Sequence, residues 1–180
     1  MIEHRETSSG REGRAAVSRR VVLIPGVLAL LPEHASLHDP IPELRTAVLD
    51  AVAQLGRSVE IIATEQGRAV AEAVLAAAPR SASGGRSVLV VANGSACRTE
   101  KAPGFLDERA EAYDEALRRA LTADPGALAH LDQARARELW ADVTALPELG
   151  RLVADTRPEV LYDDAPFGVQ YWVMCWEVEE

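Results

Sequence analysis

The sequence predicts one α/β domain: a central mixed β-sheet flanked by helices on both faces. Three observations carry this. A short, continuous apolar run stands at Val21–Ile24, a short β-branched segment at Val59–Ala63, and a second continuous apolar run at Val88–Ala92. Segments with a helical apolar period separate the first two from each other and the second from the third. The chain has 180 residues, 48% of them hydrophobic, which suits a single sizeable core.

The elements follow in order. Residues 1–18 are polar and contain Ser8, Ser9, Gly10 and Gly13, so they read as a disordered N-terminal tail, leaving 19–180 as the domain. Ser18-Arg19-Arg20 before an apolar run loosely matches a twin-arginine export signal. That run contains Pro25 and Gly26, ends at Glu33 and His34, and is followed by no small-x-small cleavage site, so it is read as a strand closed by a Pro-Gly turn. It is also too short to span a bilayer. Leu44, Ala47, Val48, Ala51, Val52 and Leu55 mark a helix from near Pro42 to Gly56. Val70, Ala73, Val74 and Ala77 mark a second. The Ser/Gly-rich stretch Pro79–Arg86 reads as a loop. Val88–Ala92 has no polar residue, so it is expected to be central in the sheet and buried on both faces.

In the second half, Leu106, Ala110, Tyr113, Leu117, Ala120 and Leu121 predict a helix with Asp107 and Glu108 in its first turn, where the helix dipole favours them. Asp124-Pro125-Gly126 ends it. Leu128–Trp140 reads as a less regular helix and Leu146–Val153 as another. Val160–Tyr162 and Gly168–Glu177 read as strands joined by a turn. The early strand–helix alternation implies parallel pairing and the closing strand pair a mixed sheet.

Net charge is −9. The first twenty residues hold five Arg against three Glu, a surplus of two, which leaves −11 for residues 21–180. This balance argues against a nucleic-acid partner, since phosphate neutralisation needs clustered Lys and Arg. Cys97 and Cys175 are too few for a disulfide framework or a four-cysteine zinc site, so a reducing cytoplasm is expected.

Ligands of open α/β sheets bind beyond the carboxyl ends of the strands. Two loops answer to that position: Asn93–Gly104 after the third strand, and Asp163–Gly168. The first reads either as a pocket floor or as a turn with a solvated charge run. The candidate cleft residues are Asn93, Ser95, Cys97, Arg98, Thr99, Glu100, Lys101, Asp163 and Asp164. The two loops are expected side by side, with Arg98 and Lys101 neutralising Asp163 and Asp164.

Sharper motifs fail. Gly94-Ser95-Ala96-Cys97 lacks the closing Gly of a nucleophile elbow. Cys97 has no His between His38 and His130 to activate it, and reads as a plain semi-buried thiol. His34 and His38 have the spacing of two metal ligands on one helix face, but Pro32 and Pro40 flank them and no third ligand is evident. Asp163-Asp164 reads as a solvated turn sooner than a cation site. Phosphate loops are absent. Trp140, Trp172 and Trp176, with Tyr171, read as core or interface rather than as a stacking platform.

One resemblance is carried by specific residues. Gly94-Ser95-Ala96-Cys97-Arg98-Thr99-Glu100-Lys101-Ala102-Pro103-Gly104-Phe105-Leu106-Asp107-Glu108-Arg109-Ala110, followed by Tyr113-Asp114, is similar to a signature of the actinobacterial subunit-B-like branch of the class III extradiol ring-cleavage dioxygenases. Leu161–Val169 resembles their C-terminal signature, and Leu30-Leu31-Pro32-Glu33 resembles the segment after their first strand. The resemblance covers most of residues 20–178. It implies a subunit-B-like fold, with Fe(II) held by two His and a carboxylate and a further His as acid/base. Here Gly26 stands at the first ligand position, Ala96 stands at the acid/base position, and residues 39–129 contain no His for the second ligand. Neither Gly nor Ala offers a lone pair or a titrating proton.

The resemblance therefore implies a homologue without iron-dependent ring cleavage, with no cofactor, that retains a cleft for a small-molecule ligand or a partner. The alternative is an oxidoreductase or other enzyme of altered chemistry, using Cys97, Glu100, Lys101 or Asp163. Carboxylates such as Glu65, Asp163 or Asp164 could gather a hard cation but would not activate dioxygen. No membrane association is expected, and assembly into a homo-oligomer stays open.

Overall fold

The computed structural model describes residues 18–34, 38–80 and 85–179. The expected tail falls almost wholly outside them, as does the centre of the Ser/Gly loop. Five strands form one mixed sheet: β1 (Ser18–Ile24), β2 (Val59–Ile62), β3 (Ser87–Val91), β4 (Glu159–Asp164) and β5 (Tyr171–Glu179), in the spatial order β2-β3-β1-β5-β4. β1 and β2 run parallel to β3, while β5 runs antiparallel to both β1 and β4. The expected mixed sheet, with its all-apolar third strand inside it, is observed. All five β3 residues are buried, and the β1–β3 ladder runs from Arg20 opposite Ser87 to Ile24 opposite Val91.

Alternation along the strands divides the core into two layers. Val22, Ile24, Leu89, Val91 and Val173 face α1 (Pro42–Ala53) and α2 (Glu65–Ala77). Val21, Leu23, Val88, Val90, Trp172, Met174 and Trp176 face α3 (Ala110–Ala123) and α5 (Leu146–Leu152), with the 3-10 segment Pro125–His130 between them. A sheet apolar on both faces needs a helical layer on each, and the chain supplies them in sequence: two helices before β3 and the rest after it. Pro42 opens α1 at a position where no N–H is needed. Thr64 caps α2 by accepting the Gly67 N–H.

Three expectations are corrected. The helix expected to include Leu106 begins at Ala110, because Phe105 is left-handed (φ 61°) and Asp107 turns the chain. Asp107 Oδ1 accepts the Arg109 N–H at 2.9 Å, its carbonyl accepts the Ala110 N–H at 2.9 Å, and the Arg109 guanidinium holds its carboxyl well below the usual range. Leu106 is consequently exposed. The segment Leu128–Trp140 is two pieces, since Asp132 caps a new helix, α4 (Gln133–Glu138), through the N–H groups of Ala134 and Arg135. The last strand starts at Tyr171 rather than Gly168, because Pro166–Gly168 forms a 3-10 turn with Phe167 and Gly168 both at positive φ. Among the described residues, no helix is long and apolar enough to cross a membrane.

The layering yields a graded expectation. Leu89 is fully buried at the middle of the sheet, whereas Ile61 lies half-exposed on the edge strand β2. Leu89→Ala is expected to lower unfolding free energy by about 2–5 kcal/mol, and Ile61→Ala by ~1 kcal/mol. Urea unfolding of both variants measures the ratio; equal losses would mean that β2 is no edge.

Candidate functional site

β1 and β3 are adjacent parallel strands whose outgoing chains leave toward opposite layers, β1 toward α1 and β3 toward α3. Their carboxyl ends define the crevice where such sheets bind ligands. Here the crevice is bridged. The Gly26 N–H donates to Asn93 Oδ1 at 2.8 Å, and the Asn93 N–H donates to the Asp142 carbonyl at 2.9 Å. The Thr64 hydroxyl donates to Asp142 Oδ2 at 3.0 Å, tying the cap of α2 into the same cluster. A Cβ at position 26 would stand 3.2 Å from Val91 Cγ1 and 3.7 Å from the Gly67 backbone. Gly26 is therefore a close-packed position, where a Cβ would require the Val91 side chain to give slightly.

The loop after β3 and the β4–β5 turn lie side by side, as expected. Gly94 N–H donates to the Gln170 carbonyl at 3.0 Å, Gln170 N–H to the Ser95 carbonyl at 2.9 Å, and Arg98 N–H to the Gly168 carbonyl at 3.0 Å. These bonds continue the sheet as an irregular ladder. Gly168 sits at φ 76°, and a Cβ there would meet Thr99 Oγ1 at 2.6 Å and Ala102 Cβ at 2.7 Å, so the turn requires glycine.

The charge pairing differs from expectation. Arg98 does not reach Asp163 or Asp164. Its guanidinium donates to Gln170 Oε1 at 3.1 Å and lies 3.5 Å from Asp114 and 3.4 Å from Glu111. Arg118 takes Asp163, which also accepts from Gln170 Nε2 at 3.0 Å. Asp164 Oδ1 accepts the Ala165 N–H, and Lys101 is exposed. The physical reason is reach: Gln170 stands between the two loops and satisfies both sides.

The residue at the centre is one that sequence reasoning missed. Asp114 is 2% exposed and accepts the Ser95 N–H at 2.7 Å and the Ser95 hydroxyl at 2.6 Å. Burial pushes its carboxyl up from the ordinary value, against the Ser95 donors and the Arg98 charge. A signal existed: Ala110, Asp114, Leu117 and Leu121 share one helix face, so a carboxylate stands in an apolar stripe. Beside it lies a small cavity of about 150 Å³, lined by Arg98, Asp114, Arg118, Gln170 and Trp172. The Trp172 Nε1–H is buried without a protein partner.

The remaining candidates separate into interior and rim. Ser95 and Cys97 are buried, Asn93 is half-buried, and Thr99, Glu100 and Lys101 are exposed. Cys97 Sγ donates to the Leu139 carbonyl at 3.4 Å and the Gly104 carbonyl at 3.6 Å. Burial first, then the charges of Asp107 and Asp114, push its thiol up, which is the opposite of an activated nucleophile. His34 ends the exposed 3-10 turn Pro32–His34, and His38 is exposed; the residues between them lie outside the described set. Among the described residues, no group of three His, Cys, Asp or Glu side chains could hold a metal ion.

Sequence reasoning missed one further feature of this end of the molecule. Among the described residues, three non-glycine positions have positive φ: Phe105, Trp140 and Phe167. All three are aromatic and exposed, at 74%, 62% and 66%. All three border one loop. The Cβ direction of Gly104 points at Trp140 Cγ 3.3 Å away, the Phe105 N–H donates to the Ala102 carbonyl, and Gly168, next to Phe167, packs on Thr99 and Ala102. A left-handed bulky residue costs on the order of 1–3 kcal/mol. No protein-family model and no curated protein matches this chain.

Two outcomes are expected from this geometry. Asp114→Ala leaves the Ser95 N–H without its acceptor and the Arg98 guanidinium short of a partner, and is expected to cost about 2–3 kcal/mol in chemical denaturation. An effect below ~0.5 kcal/mol would mean that the loop holds without it. The second concerns the thiols. Cys97 and Cys175 are free and buried, and burial pushes the Cys175 thiol up to about 11. At pH 8 neither is expected to react with an aromatic disulfide reagent in the native protein, and both are expected to react once denaturant is added. Rapid native labelling at Cys97 would restore it as a nucleophile candidate.

Proposed function

We propose that the chain is a subunit-B-like homologue of the class III extradiol dioxygenases that has no ring-cleavage chemistry and works as a binding module. The observation that carries this reading is the closure of the loop cleft. Ser95, Ala96, Cys97, Ala102, Gly168 and Gln170 are all buried, and the two signature loops are hydrogen-bonded to each other. A facial triad needs three inward side chains with lone pairs that converge on one point. Position 26 has no side chain, and Ala96 is buried with its N–H on the Leu139 carbonyl. The residues present do not fit Fe(II). What the closed cleft leaves for recognition is the exterior of the two loops.

A second reading, an enzyme of altered chemistry, is favoured by one feature: the buried Asp114 carboxyl beside the cavity, with burial raising its pKa. Its Ser95 donors and Arg98 make it a clamp for the loop in the first reading and an acid/base group in the second.

The test is anaerobic reconstitution with Fe(II), followed by catechols and oxygen, with absorbance of the yellow ring-opened product as readout. The expected result is substoichiometric iron and no enzyme-dependent product. Stoichiometric iron with turnover would overturn the reading.

A further inference from the structure

We infer that the cavity beside Asp114, between α3 and the start of β5, is a binding site for a small α-amino acid held as its zwitterion. The inference rests on the binding-module reading and names the class of ligand that the module takes.

The first argument is the placement of charge. Glu111, Asp114, Glu115 and Arg118 all line this cavity, and their spacing puts them on one face of α3. Arg98 lines it from the loop after β3. The sheet side is Gln170 and Trp172, with Trp172 packed in the α3 layer. Two guanidiniums and three carboxylates thus share one cavity of about 150 Å³. A simple anion would meet the carboxylates there, and a simple cation the guanidiniums. A zwitterion presents both signs to both sets.

The second argument is that these charges face one another without closing. Arg98 stands 3.4 Å from Glu111 and 3.5 Å from Asp114, and Arg118 stands 4.0 Å from Glu115. Charge-assisted bonds close to about 2.7–2.9 Å where geometry allows. The close partner of Arg118 is Asp163, which it reaches through Nε and which does not line the cavity. The two terminal amino groups of Arg118 make no hydrogen bond among the described residues, so its fork is left for a carboxylate. Asp114 keeps capacity as well: a carboxylate has about four acceptor sites, and Ser95 fills two. Asp114 and Arg118 are one helical turn apart, about 5–6 Å between their Cβ atoms. That spacing suits an ammonium and a carboxylate joined through a single carbon, which is the defining feature of an α-amino acid.

The third argument is size. One water takes about 30 Å³ of liquid volume, so the cavity of about 150 Å³ holds roughly five water-sized atoms. That is the size of glycine or alanine. Longer side chains have to project into solvent, so the site favours the smallest amino acids and leaves no room for a peptide.

The test uses the full 180-residue chain at low ionic strength, where exposed charges are least screened. Nitrogen–proton correlation spectra supply a local reporter. The Trp172 Nε1–H has no protein acceptor and its residue lines the cavity, whereas Trp140 and Trp176 do not line it. Titration with glycine or alanine is expected to shift the Trp172 indole signal and leave the other two in place, with a midpoint below about 1 mM. Acetate and methylammonium each carry half of the charge pattern and are expected to bind at least tenfold more weakly. Glu111→Gln/Glu115→Gln alters two exposed side chains, and is expected to weaken glycine at least threefold without weakening acetate. Arg118→Gln is expected to weaken both. An unchanged circular dichroism spectrum checks that each variant folds. Acetate or methylammonium binding as tightly as glycine overturns the inference, as does saturation that leaves the Trp172 signal unmoved or no binding at all. The iron assay is independent of these. No binding and no turnover removes the amino acid and leaves the binding-module reading, whereas binding together with iron-dependent turnover does the reverse.

Discussion

Asp114 is the one buried charged side chain among the described residues, and the end of the sheet where the loops meet is organised around it. Its two carboxylate oxygens take both hydrogen-bonding groups that Ser95 can donate, one from the backbone and one from the side chain. That fixes the chain as it leaves β3. With Ser95 fixed, its carbonyl meets Gln170, the Gln170 amide spans to Asp163, and Arg98 closes the circuit from the other side. A buried carboxylate is costly unless it is paired and hydrogen-bonded, and this one has both kinds of partner. The arrangement is reciprocal. The loop satisfies the carboxylate, and the carboxylate denies the loop alternative conformations.

The parts of this fold that depend on burial were legible in the residues. Val88–Val91 of β3 carry no polar side chain and the strand lies between two others, and the helical stripes of α1 and α2 point at the sheet face that the alternation of β1 provides. The adjacency of the two loops was legible too, because both follow strands that end on the same side. What burial does not encode was missed. Helix starts here are set by single side-chain acceptors, Asp107 before α3 and Asp132 before α4, and these override an apolar period that runs past them on either side. Ion-pair partners were misassigned because composition supplies signs and not reach. Arg118 and Asp163 are 45 positions apart in the chain, and only the antiparallel return of β5 onto β1 brings their elements together.

Gly26 and Ala96 are small residues at positions where the chain packs closely. Gly26 lets β1 and the start of α2 approach, with the Asn93 side chain drawn across the strand ends to bond its N–H. Ala96 lets the Leu139 backbone approach from the α4 side, and its own carbonyl accepts the Gly104 N–H. At both positions the small residue lies where backbone groups of neighbouring segments meet, and the loop walls hydrogen-bond to one another. This is why Ser95 and Cys97 are buried while Thr99, Glu100 and Lys101, a few residues on, are exposed.

The closure also accounts for the outward aromatics. Phe105, Trp140 and Phe167 are each pinned by a hydrogen bond of their own turn: Phe105 N–H to the Ala102 carbonyl at 2.9 Å, Trp140 N–H to the Arg137 carbonyl at 3.2 Å, and Gly168 N–H to the Ala165 carbonyl at 3.1 Å just past Phe167. The turns in question enclose the buried Ala96, Cys97 and Ala102, so relaxing any of them would open the interior that the loops have closed. The strain of the left-handed residues is thus held by the packing beneath them. It follows that the backbone carrying the three rings is held by the closed loops beneath it.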